Sequence, residues 1–125
     1  METSAQPEPL NQEGFAAFGA RAGEGVTVTM LNLLRFKADG GRKRYEEYGA
    51  AVAPLLEKVG GRIAFVGEAS SPLLGTERWD LVALVEYPSR QAFLDMVSSE
   101  EYRAIEHLRS EALDKGELHP VDSAA

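Results

Sequence analysis

Residues 26–37 alternate with a period of two. Val26, Val28, Met30, Asn32, Leu34 and Phe36 fall on one side, and Thr27, Thr29, Leu31, Leu33, Arg35 and Lys37 on the other. Successive side chains of an extended chain point to opposite faces, so this spacing predicts a strand. Leucine occurs on both sides, which is the restrictive part. A sheet with one wet face shows polar residues on that face, whereas this strand needs cover twice over. The exception is Asn32, an amide within the apolar set of one side. Buried there, it must find hydrogen-bond partners or cost about 1–3 kcal/mol.

The rest of the chain supplies the other elements. After a turn at 38–41, Tyr45, Tyr48, Val52, Leu55, Leu56 and Val59 recur at helical spacing, predicting a long amphipathic helix that Pro54 should bend and Gly60-Gly61 should end. "RIAFVGEA" reads as a second strand, "SSPLLGTE" as a loop and "RWDLVALVEY" as a third strand antiparallel to the second. Pro88-Ser89 breaks that strand and opens a helix, "SRQAFLDMVSS". Ser98-x-x-Glu101 has the form of a capping box, starting a further helix expected to run to Lys115 and stop at Gly116. "ELHPVD" then suits a short edge strand, because Pro120 cannot donate to a central ladder. Ahead of all this, residues 1–10 read as a frayed tail rich in Pro and Glu, followed by a short helix capped by Asn11 with Phe15 and Phe18 three apart.

The predicted division is an N-terminal extension, 1–24, and a single domain, 25–125. The order β-α-β-β-α-β is the split ferredoxin-like arrangement of the α+β class: one antiparallel sheet with helices on one face. The third strand carries Val82 and Leu84 on one side and Leu81, Ala83 and Val85 on the other, so the open sheet face is apolar too. The simplest cover is a second copy, giving a homodimer with sheets face to face.

Composition then narrows function. The chain has 125 residues, 44% hydrophobic and 26% charged, as expected of one globular domain. With no cysteine it has no disulfide, thiolate nucleophile or Cys-ligated metal. A formal charge of -7 argues against nucleic acid as a partner, and the one basic run, Arg42 to Arg44, is answered by Glu46 and Glu47. No apolar run approaches the roughly 20 residues of a membrane span, and the start has no signal pattern, so a cytoplasmic protein is expected. His107 and His119 share no metal-ligand spacing, no glycine pattern suits a nucleotide, and no serine sits in an elbow motif. No metal or cofactor is expected.

Six polar or aromatic residues remain. Asn32 is either a satisfied structural amide or a group that orients a ligand. On the second long helix, at about 100° per residue, Tyr102, Ile105, Arg109, Ala112 and Leu113 share one stripe. Arg109 stands near its middle, where leucine would be expected, and a guanidinium there must be paired. Asp80, Glu86 or an anionic ligand group could pair it. Tyr45 and Tyr48 share the apolar face of the first long helix, as packed rings or as hydrogen-bonding groups. Trp79 suits core, dimer interface or pocket lining.

The blocks "MLNLLRFK", "YEEY", "GGR", "WDLVALVEYPSRQAFLDM" and "SSEEYRAIEHLRSEAL" together resemble a bacterial family, the domain of unknown function thirteen-thirty, within the dimeric α+β barrel superfamily. The resemblance covers most of residues 25–115. It implies the ferredoxin-like fold and the sheet-to-sheet dimer, and it marks Asn32, Arg35, Tyr45, Tyr48, Trp79, Asp80, Tyr102 and Arg109 as family positions. The superfamily includes cofactor-independent monooxygenases, muconolactone isomerases, haem-degrading enzymes and stress-response proteins, with sites in a cleft between sheet and helices. One departure is that relatives often read His-Arg where this chain has Leu108-Arg109, which sets His107 about 100° away round the helix.

Three functions follow as expectations. The first is a cofactor-independent monooxygenase- or isomerase-like enzyme acting on an aromatic or carbonyl metabolite. Asn32, Tyr48 and Arg109 would be its catalytic groups, with Met30, Tyr45, Trp79, Phe93 and Tyr102 binding the ligand and Leu34 and Phe65 completing an apolar lining. The second is a non-catalytic binding protein using the same pocket. The third is a structural dimer in which both anomalies are satisfied internally.

Overall fold

The computed structural model describes residues 8–124; the expected tail lies partly outside them, at 1–7. In chain order the elements are α1 (Gln12–Ala20), β1 (Val28–Phe36), α2 (Gly41–Lys58), β2 (Arg62–Glu68), β3 (Leu81–Tyr87), α3 (Arg90–Val97), α4 (Glu100–Ala112) and β4 (Leu113–Val121). The strands form one sheet in the order β2-β3-β1-β4, with every neighbouring pair antiparallel. This is the ferredoxin-like topology that the alternation predicts. Val28, Met30, Asn32 and Leu34 are all at most 8% exposed, which puts their side of β1 beneath the helices. Leu31, Leu33 and Arg35 lie on the uncovered side and are half-buried.

Two glycines shape the β1–α2 turn for different reasons. Gly40 caps the helix at φ 79, a left-handed conformation that costs other residues strain. Gly41 is needed for space, because a Cβ there would lie 2.5 Å from the Ala112 carbonyl oxygen and 3.1 Å from the Phe36 carbonyl carbon. Both obstacles are backbone and cannot swing aside. Gly41→Ala should therefore destabilise the protein by about 3 kcal/mol through overpacking, whereas Gly49→Ala, where nothing lies within 4 Å, should not. Urea unfolding of the two variants checks this. Farther along, α2 passes through Pro54, whose ring is exposed, and ends as expected, with Gly60 at φ 81.

Three boundaries differ from the sequence reading. β3 begins at Leu81, so Trp79 and Asp80 belong to the preceding loop. The Asp80 carboxylate accepts a hydrogen bond from the Phe36 amide at 2.9 Å, a link between loop and strand that alternation cannot reveal. α4 is capped by Ser99, whose Oγ accepts from the Tyr102 amide, while Ser98 closes α3. And α4 stops at Ala112, not Lys115. Leu113 is already extended (φ -105, ψ 132), and the Ala112 carbonyl accepts from the Lys37 amide at 2.9 Å. Helical spacing persists past this point in the sequence, but pairing with β1 takes over, and Gly116 sits in β4 opposite Leu34 instead of ending a helix.

α1 is joined to the domain at both ends of the chain. Asn11 caps it by accepting from the Gly14 amide, and Phe18 packs edge-on to Phe93 with ring centres 5.4 Å apart. Arg90, only 3% exposed, lies over the Phe18 ring and donates to both oxygens of Asp122, to which Arg21 also donates.

Candidate functional site

Helix periodicity brings the polar core together. Tyr45 and Tyr48 are about one turn apart on α2, and Tyr102 and Arg109 about two turns apart on α4, so each pair shares a face. The two helices pack against each other with those faces toward the sheet. Met30, Tyr48, Tyr87, Phe93 and Tyr102 form one buried cluster; Leu34, Ala112 and Leu113 form a second; Tyr45 packs against both. Asn32 lies between Met30 and Leu34 on the same face of β1, and so between the two clusters.

The hydrogen bonds of this group are incomplete. The Tyr48 and Tyr102 hydroxyls meet at 2.9 Å. In such a pair one phenol donates and the other accepts, and the acceptor's own proton is left to find another oxygen. The Asn32 side chain donates one long bond, 3.3 Å, to the Met30 carbonyl, and makes no other hydrogen bond with the described residues. Arg109, half-buried, acts electrostatically on the Tyr45, Tyr48 and Tyr87 phenols.

No carboxylate among the described residues lies within ion-pair distance of Arg109, which corrects the expected pairing with Asp80 or Glu86. Asp80 is bonded to the Phe36 amide. Glu86 is held by Arg62 across the sheet, on the strand face opposite to the helices. Among the described residues, the ionisable groups on which the guanidinium is seen to act are phenols.

Burial acts on those phenols in one direction. Loss of water pushes Tyr48 well above its ordinary value of 10.0, with Tyr102 adding to the shift and Arg109 opposing it. Tyr45 and Tyr87 are raised by the same cause, and Arg109 opposes the shift in both. At neutral pH all three are neutral hydrogen-bonding groups, not bases. The linkage has a definite sign. The unfolded chain loses these protons near pH 10 while the folded chain keeps them, so stability is intact below that pH and falls as pH rises above it. Alkaline titration should show tyrosinate absorbance for these residues appearing together with loss of helical circular dichroism, not before it.

Other expected lining residues lie elsewhere. Trp79 is beside Lys115, 5.7 Å from ring centre to Nζ, and Lys115 pairs with Arg35 on the uncovered face. Phe65 also belongs to that face, pairing with Leu84, and is 56% exposed. Neither reaches the tyrosines, because both stand on the wrong side of the sheet. Two surface hollows, of about 270 Å³ beside Gly41, Arg42 and Asp80 and about 150 Å³ beside Leu55, Met96 and Ser99, are not lined by the tyrosine–arginine group. Tyr45 and Arg109 are the partly exposed members of that group. The sequence reading missed Arg90 altogether, although its spacing of three from Phe93 puts a cation on the apolar side of α3. Among the described residues no group of three His, Asp or Glu could hold a metal, and no helix is long and apolar enough to cross a membrane.

A four-stranded antiparallel sheet in this order, with helices on one face, defines a ferredoxin-like chain. The chain belongs to the DUF1330 family, a domain of unknown function, whose profile matches residues 40–121. A protein of unknown function from Rhodopseudomonas palustris is 29% identical, with a TM-score of 0.83 over 96% of this chain and 98% of its own. Two more distant structures share the fold alone. A dimeric ferredoxin-like protein of unknown function from Jannaschia is 13% identical (TM-score 0.64, covering 78% and 99%). A hydroxynitrile lyase from Passiflora edulis is 14% identical (TM-score 0.60, covering 78% and 94%). No curated protein matches the chain.

Proposed function

We propose that this protein is a face-to-face homodimer, each subunit of which binds a small carbonyl- or carboxylate-bearing molecule at the seam between α2, α4 and the sheet. The observation that carries the binding reading is Arg109, a half-buried cation that acts on phenols and has no carboxylate of the described residues within ion-pair distance. Such a charge is costly unless something neutralises it. Further donors lie on the same side of the sheet: a phenol proton left over from the Tyr48–Tyr102 pair and the second amide hydrogen of Asn32. A ligand oxygen is the complement of that set. Met30 and Phe93, in the same cluster as the tyrosines, would flank its apolar part.

Binding is favoured over catalysis by the state of the phenols. Isomerisation or oxygenation begins with removal of a proton, and a phenol whose proton is held more tightly than usual is a poor base. Among the described residues no carboxylate or imidazole is hydrogen-bonded to the group. If chemistry does occur here, these residues suit the stabilisation of a developing oxyanion. Fold relatives include a lyase, but function resides in the site and not in the scaffold. The dimer reading rests on the apolar face formed by Leu31, Leu33, Val82 and Leu84, and on ferredoxin-like relatives described as dimeric.

Thermal shift with benzoate and with methyl benzoate tests the ligand reading. A ligand present at a hundred times its dissociation constant stabilises by about 2.7 kcal/mol, a clear rise in melting temperature. The expected result is a rise with at least one of the two that is lost in Arg109→Met. No rise with either, at concentrations up to the millimolar range, would count against a site for this class of molecule.

A further inference from the structure

Leu73 and Leu74, adjacent in the β2–β3 loop, are 98% and 94% exposed. Scattered single apolar residues on a surface are ordinary, but two neighbouring leucines held almost wholly in water are not. The loop that carries them is built at its base and turned at its tip. Ala69 donates to the Asp80 carbonyl at 3.0 Å, closing the neck. Glu77 receives Lys115 at 2.8 Å and Arg35 at 3.4 Å, and Arg35 also donates to the Arg78 carbonyl. Trp79 rests by Lys115, and Gly75 turns the tip at φ 85. Arg35 and Lys115 are cross-strand partners on the uncovered face of the sheet, so the returning limb of the loop is fastened to that face and not to the helix side.

We propose that this loop is an arm that crosses to a second copy of the chain, with Leu73 and Leu74 packed on the partner subunit. The occupant is argued by continuity. The arm's root is part of the same uncovered face that carries Leu31, Leu33, Val82 and Leu84, so whatever covers that face also meets the arm. A twofold axis supplies two arms, and thus four leucines, per dimer. The ion pairs at the root hold the arm in place before association, which reduces the ordering cost of docking. The inference rests on the face-to-face reading of the dimer, and its test separates the two.

Sedimentation velocity over a concentration series compares the wild type with Leu73→Ser/Leu74→Ser and with Leu10→Ser, the last a 66% exposed leucine ahead of α1. Both leucines of the arm are solvated in the protomer, so their replacement leaves the protomer fold intact, as circular dichroism would verify. The expected result is a dimer dissociation constant at least a hundredfold higher for the double variant and unchanged for Leu10→Ser. A double variant within threefold of the wild type, in a protein that Leu33→Asp does dissociate, overturns the arm and leaves the sheet-face dimer standing. A wild type that is monomeric throughout overturns both.

Discussion

In the proposed face-to-face dimer, Leu33→Asp should give a folded monomer. Leu33 stands on the uncovered face of the central strand β1, opposite Val82 in β3 and Glu117 in β4. In a single subunit an aspartate there remains partly in water, so the protomer loses little. Between two sheets it is enclosed, unpaired and close to its twofold copy, with Glu117 adding charge of the same sign. Burial of an unpaired carboxylate costs several kcal/mol, and each 1.4 kcal/mol is tenfold in affinity. The dimer dissociation constant should therefore rise on the order of a thousandfold or more, with circular dichroism unchanged. Leu33→Met, which keeps volume and polarity, should leave association intact. Sedimentation identical to the wild type for Leu33→Asp would mean that the subunits meet elsewhere.

What the chain reveals about itself divides along a physical line. Local period is legible: alternation at 26–37 defines β1 and its two faces, and the spacing from Tyr45 to Val59 defines α2, because these patterns are set by neighbours in sequence. Competition between local and distant partners is not. Residues 113–115 continue a helical pattern, yet β1 draws them into the sheet, and nothing within that segment announces it. Trp79 and Asp80 fit strand spacing but are taken into the loop by the Phe36 amide and by Lys115, each more than thirty positions away. Of the candidate site residues, Asn32, Tyr45, Tyr48, Tyr102 and Arg109 were legible as polar or aromatic exceptions on apolar faces. The location of the four helical residues follows from helix phase, and that of Asn32 from the side of β1 it shares with Met30 and Leu34. Arg109's lack of a carboxylate was not legible, since Asp80 and Glu86 are plausible partners until the sheet assigns one to a backbone amide and the other to the far face.

Arg109→Met should have effects of opposite sign on stability and on binding. In the unliganded protein the guanidinium is partly withdrawn from water and is offset only by neutral phenols. Methionine fills a similar volume with no charge to desolvate, and replacement of poorly compensated buried charge by apolar side chains is frequently stabilising. A gain of about 1 kcal/mol is expected, at the low end of that range because Arg109 is only half-buried. Tyr45 loses a neighbouring charge but keeps contact with solvent, being half-buried itself. Binding moves the other way: stabilisation by benzoate should vanish, because Arg109 is, among the described residues, the cation that acts on these phenols. Arg109→Lys discriminates further. It keeps the charge and loses the planar fork that meets a carboxylate with two hydrogen bonds, so it should bind benzoate weakly while retaining the wild-type stability. A residue kept for structure would show the reverse in the methionine variant, lower stability and an unaltered response to benzoate. Greater stability without the arginine, together with loss of binding, is the signature of a side chain retained for what it holds.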